Sequence, residues 1–202
     1  MDTEAPANIV PLSTKVPVWG HVFMVSPLVI VGSRSASGEH DLAPKHMAMP
    51  LGWSNHYCFV CSPRHTTYAN IAATGAFTVS FPRPEQIVQT SLAAAPREAD
   101  STKPSLAALP TFPARVVEGV LVAGCSLFLE CRLERILDGF GENSLVIGEV
   151  VAASADERAL RVSGEDEGDL LHEHPMLAFL SPGRFAAVAE TFSFPYPVDF
   201  KL

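Results

Sequence analysis

Ser62, Arg64, Thr66 and Thr67 fall within six residues, where an apolar run, Tyr57-Cys58-Phe59-Val60-Cys61, gives way to a helix-like run, Tyr68-Ala69-Asn70-Ile71. Hydroxyls, a guanidinium and the unpaired N–H groups of a helix start then meet at one point, which is chemistry suited to a phosphate. Arg64 is the fork donor of the set. Ordinary N-capping by Thr66 or Thr67 is compatible with that role, because a capped helix start still offers N–H groups. Asn70, one turn into the helix, either bonds back to a neighbouring segment or reaches the ligand.

A second group precedes it in Ala43-Pro44-Lys45-His46-Met47. Lys45 and His46 leave an extended chain on opposite faces, so one of them faces a ligand bound on either side. Lys45 is equally readable as a solvated surface lysine. His172 and His174 look like part of a metal sequence but lack an identifiable third ligand, so no metal site is assigned. Cys58 and Cys61 match Cys-x-x-Cys, yet their odd spacing on a strand sends them to opposite faces and favours small core thiols over a metal or redox pair. His21 and His65 read as surface or capping residues, and no catalytic acid or base stands out.

The ordered set Asp41-Leu42-Ala43-Pro44-Lys45-His46, Thr66-Thr67-Tyr68-Ala69-Asn70-Ile71 and Thr74-Gly75-Ala76-Phe77-Thr78-Val79 resembles the flavin reductase-like family of FMN-binding split barrels. The resemblance continues through residues 127–131 and 145–150 to Leu180-Ser181-Pro182-Gly183-Arg184-Phe185. It implies a mainly β fold with peripheral helices, a split β-barrel. It further implies FMN held by residues of the two groups above, with Thr67 on the family's threonine, and NADH or NADPH as transient donor. Phe185 falls on an aromatic that can lie near the flavin, although core packing explains it equally well. Asp41 and the Lys45-His46 pair depart from the family's usual asparagine and neutral residues.

The implied activity is that of an FMN-binding oxidoreductase, with an NAD(P)H-dependent flavin reductase leading. A reductase keeping FMN for another acceptor and a non-catalytic flavin-binding protein stand as alternatives. A homodimer is expected, with a flavin-dependent monooxygenase as a candidate partner. No Gly-x-Gly-x-x-Gly is present, so a nicotinamide would land on the flavin without a dinucleotide-binding unit of its own.

Composition sets the frame for these residues. The chain has 202 residues, 48% of them apolar and 18% charged, enough for one substantial core. A net charge of −8 argues against an unaided nucleic-acid surface. Absence of a long apolar run and of a basic leader argues against a membrane span or export, so a cytoplasmic protein is expected. Residues 1–20, with Pro6, Pro11 and Pro17, read as an arm, and residues 21–195 as the domain.

Strands are expected over 22–33, over the segment holding Ala43 and Pro44 after a turn at 35–38, and over 57–62, 77–81, 126–136 and 145–153. Pro44 argues that its strand is an edge or bulged. Helices are expected over 66–74, closed by Gly75, and from Pro84 to about Ala95. The Pro-rich stretch 96–114 reads as a long surface loop and a natural lid, and residues 138–143 as a turn. The acidic stretch 165–167 reads as a solvated turn. Leu127, Leu129 and Cys131 share a parity opposite to Glu130 and Arg132, which predicts a core face and a face toward solvent or a partner.

Overall fold

The computed structural model describes residues 7–98, 102–161 and 166–198. Residues 1–6 of the expected arm, residues 99–101 of the Pro-rich stretch and Glu165 of the acidic stretch lie outside them.

Among the described residues, twelve strands and three α-helices follow one another. They run β1 (Met24–Pro27), β2 (Val29–Arg34), β3 (His40–Lys45), β4 (Ala48–Pro50), β5 (His56–Cys61), α1 (Thr66–Thr74), β6 (Ala76–Phe81) and α2 (Ile87–Leu92). After these come β7 (Thr111–Pro113), β8 (Val120–Val122), β9 (Leu127–Phe140), β10 (Asn143–Ala155), α3 (Glu167–Glu173), β11 (Met176–Ser181) and β12 (Arg184–Val188). Seven strands form one antiparallel sheet in the order β3-β2-β6-β9-β10-β5-β4, and β1-β11-β12 and β7-β8 form two smaller sheets.

Alternation explains why the large sheet has two different faces. Val29 and Val31, Phe77 and Val79, and Leu129 and Cys131 project into one core with Tyr57, Phe59, Cys61 and Val146. Ile30, on the other face of β2, joins Leu42, Ala93, Leu109, Val122 and Cys125 in a second core. Burying an aliphatic side chain fully contributes roughly 1.5–3 kcal/mol, so both faces weigh in the stability of these central strands.

The second face also carries polar residues, and the chain itself covers them. Thr78 Oγ1 donates to Val120 O at 2.6 Å, and Val122 N–H donates to Ser80 Oγ at 3.0 Å. Glu130, only 4% exposed, accepts from the N–H groups of Arg115, Val116 and Val117 at 2.6–3.1 Å. Of the face predicted for solvent or a partner, Glu130 is therefore covered by residues 114–122 and anchors their turn, whereas Arg132 is exposed.

The expected 22–33 strand divides at Leu28 into β1 and β2, which belong to different sheets. β3 is an edge strand, as Pro44 required. Gly75 ends α1 with φ 72°, the left-handed conformation expected of it. Residues 138–143 are not one turn: β9 runs to Phe140, and Gly141 and Glu142 alone connect it to β10. Asp166 caps α3, accepting from Gly168 N–H at 2.7 Å, so the acidic stretch opens a helix rather than forming a turn.

The Pro-rich stretch is largely fixed. It contains a 3-10 turn, Pro104–Ala108, and β7, and it buries Leu109 in the second core. Lys103 donates to Leu42 O at 2.9 Å and to Ala93 O at 2.6 Å, tying the segment to β3 and to the end of α2. A swinging lid needs few such ties, so this segment is better described as a wall.

Candidate functional site

β3, the loop from Ser62 to His65, the start of α1 and residues 93–103 converge on a cavity of about 340 Å³. β3 contributes Asp41, Ala43, Pro44 and Lys45, and the loop and helix contribute Arg64, His65, Thr66 and Thr67. Ala93, Ala94, Arg97 and Lys103 close the far side. Four cationic residues and one carboxylate thus line the same hollow.

The helix start is open to a ligand. His65 occupies the N-cap position with extended backbone, φ −87° and ψ 142°, and no side chain caps the helix. The N–H groups of Tyr68 and Ala69 bond His65 O at 3.0 and 3.3 Å, and Thr66 and Thr67, the first residues of the helix, line the cavity. Partial positive charge at such an end favours an anion. Ser62 shapes the preceding turn, its Oγ accepting from Arg64 N–H at 3.3 Å.

Two further hollows adjoin this one at Pro44. One of about 260 Å³ shares Lys45 and His65 and adds His46, Met47, Cys61 and Ser62. The other, of about 290 Å³, shares Ala94 and is walled by Leu28, Ile87, Phe179 and Phe185. His46 packs on Phe179 with ring centroids 4.5 Å apart, bridging the large sheet to β11. Burial, reinforced by the Lys45 charge, holds the pKa of both His46 and His65 below the ordinary value, so both are neutral near pH 7. The arrangement suits a molecule with an anionic tail and a flat, largely apolar head.

Ten of the eleven predicted site residues line this connected groove. Ala43, Pro44, Lys45, Arg64, Thr66 and Thr67 share the cationic hollow; His46, Met47 and Ser62 line the second; Phe185 lines the apolar one and is half exposed. Asn70 lies apart, buried, with Nδ2 donating to Ser33 Oγ at 3.1 Å. It ties α1 to β2 and positions the helix.

Arg97, Lys103 and His65 line the cationic hollow but were not singled out for it. The two cations sit in the stretch whose prolines suggested a lid, and nothing in its composition points them at β3. Asp41, the departure from the family asparagine, explains them. It is 4% exposed and lies 2.8 Å from Arg97 Nη2 and 3.7 Å from Lys103 Nζ.

A family model described as flavin reductase like domain matches residues 20–177. The chain belongs to that family. Its members form a class of flavin-binding oxidoreductases, and the fold here is the split β-barrel expected for one. Flavoredoxin from Methanosarcina acetivorans superposes with a TM-score of 0.76 at 19% identity, over 95% of this chain and 97% of that one. An FMN-binding protein from Thermus thermophilus with bound 1-cyclohex-2-enone gives 0.72 at 19% identity, over 95% and 99%. An uncharacterized protein of Methanothermobacter thermautotrophicus is 27% identical over 129 residues, 62% of this chain. That match spans 61% of the relative's own length. Among the described residues no helix is long and apolar enough to cross a membrane.

Proposed function

We propose that this flavin reductase-like chain binds FMN in the groove and reduces it with NADH or NADPH. The observation that carries the reading is the uncapped start of α1 opening, beside Arg64 and Lys45, onto a hollow flanked by a slot of apolar and aromatic side chains. Arg64, Thr66, Thr67 and the helix N–H groups would hold the phosphate, and residues of β3 would border the ring. The flavin supplies the hydride chemistry. The protein's part is alignment, because transfer needs the reacting atoms within about 3.5 Å of each other.

A homodimer completes the proposal. Met47, Met49, Leu51 and Trp53, on and beside the edge strand β4, are exposed, as are Met24 and Val25 on β1, which contacts β4. A contiguous apolar face of this kind marks an interaction surface, and two-fold pairing is the commonest way to cover it. Reduced flavin released from such a dimer would serve a flavin-dependent monooxygenase.

Spectroscopic titration with FMN and riboflavin, followed by anaerobic addition of NADH or NADPH, tests the reading. Tighter binding of FMN and bleaching by at least one donor are expected. Equal affinity for the two flavins would remove the phosphate assignment, and a bound flavin that neither donor bleaches would remove the reductase.

A further inference from the structure

Arg64 lines two hollows of opposite character. On one side is the cationic hollow; on the other is a hollow of about 280 Å³ that includes Asp138 and Glu142 at the tip of the β9–β10 hairpin. Arg64 Nη2 donates to Glu142 Oε1 at 2.9 Å, with the two side chains 76% and 74% exposed. An ion pair this exposed is weak and readily exchanged. The neighbouring cations are held more firmly: Lys103 by two backbone carbonyls, Arg97 by the buried Asp41.

Glu142 itself is well placed to compete. It does not line the cationic hollow, yet its hairpin is anchored beside α1 through Asp138, which accepts from Tyr68 Oη at 3.1 Å and from Ser144 Oγ at 2.6 Å. The carboxylate is therefore carried on a tip that is fixed near Arg64 whether or not the hollow is filled. A phosphate brings about two negative charges and three acceptor oxygens, and outcompetes one solvated carboxylate for the guanidinium.

Resting on the FMN reading above, we infer that Glu142 is the exchange partner of Arg64. It holds the guanidinium while the hollow is empty and takes it back as the phosphate leaves. Glu142 thereby lowers FMN affinity and speeds release, so that FMN is handled as an exchanging substrate and not as a permanently held group.

Glu142→Gln tests this directly, since an exposed hairpin tip tolerates the change and an unaltered melting temperature verifies the fold. Fluorescence titration and stopped-flow release should show FMN bound about two- to fivefold more tightly and released more slowly by a similar factor. Riboflavin affinity should stay the same. In the Arg64→Ala background the same substitution should lose most of its effect. Weaker FMN binding, no change, or an equal gain for riboflavin would each overturn the inference while leaving FMN binding by the parent chain intact. Failure of the unaltered chain to bind FMN would sink the parent reading and this one with it.

Discussion

Asp41 Oδ1 lies 2.8 Å from Arg97 Nη2, a close ion pair set into the wall of the cationic hollow. The contact has the distance of an ion pair, but Oδ1 receives no in-line hydrogen bond. Lys103 Nζ, 3.7 Å from the same oxygen, completes the cluster, and burial lowers the lysine's pKa against the opposing pull of Asp41. Removing one member of a buried charge group leaves the others uncompensated. Asp41→Asn is therefore expected to lower unfolding stability by about 3 kcal/mol, read from urea denaturation. Combined with Lys103→Met, the loss should fall well short of the sum, because both changes break one cluster.

Arg64→Ala should weaken FMN about 10- to 100-fold, the equivalent of losing a charged hydrogen bond of roughly 1.5–3 kcal/mol. Riboflavin should be unaffected. Unchanged FMN affinity in the variant would remove Arg64 from the phosphate site.

Lys45 is half-buried at the junction of two hollows, so its charge reaches a bound ring with less screening than a surface lysine. Lys45→Met should make a bound flavin harder to reduce, by roughly 30 mV, which for two electrons is about 1.4 kcal/mol. Anaerobic dye-coupled potentiometry measures it. A potential that stays constant, or rises, would show that the ammonium does not sense the ring.

Glu130 predicts an acid-sensitive wall. Burial pushes its pKa up, but the N–H groups of Arg115, Val116 and Val117 outweigh burial and hold it below the ordinary value of 4.5. With the folded pKa depressed, the carboxylate's contribution is complete above the ordinary value and is lost as pH falls through the folded one. Glu130→Gln should cost about 2 kcal/mol near pH 7, and the difference from the parent should shrink on acidification. A pH-independent difference in melting temperature would contradict this.

Trp53 is fully exposed at 102% beside the β4 edge. If that face pairs with a second copy, Met49→Lys with Trp53→Lys should sediment at equilibrium as a monomer, close to the 21.7 kDa of the parent chain. A parent chain already monomeric at micromolar concentration would place the apolar face elsewhere in the protein's chemistry.

Local signals were legible wherever one residue dictates one backbone state. Gly75 closing α1, Pro44 on an edge and the turn ending in Gly38 could be read from the sequence because each depends only on near neighbours. The two segments that line the cationic hollow on β3 and α1 were likewise visible in the motifs. What the sequence hid depends on distant pairing. Polar residues alternating along β6 and β9 look solvated, yet Thr78, Ser80 and Glu130 are the hydrogen-bond partners of a covering segment 13 to 42 residues away. For the same reason Arg97 and Lys103 gave no sign of facing β3, since their partner Asp41 lies more than 50 residues earlier.

The two cores lie on opposite faces of the central strands, Val29 and Val31 on one side and Ile30 on the other. The covering layer, from α2 to β8, can therefore vary in length and composition without repacking the barrel interior, provided that it keeps polar partners for Thr78, Ser80 and Glu130. Since that layer also brings Arg97 and Lys103 to the hollow, divergence in it would retune the charge around a ligand while the scaffold stays as it is. The barrel is the scaffold, and the layer over it sets the charge that the hollow presents.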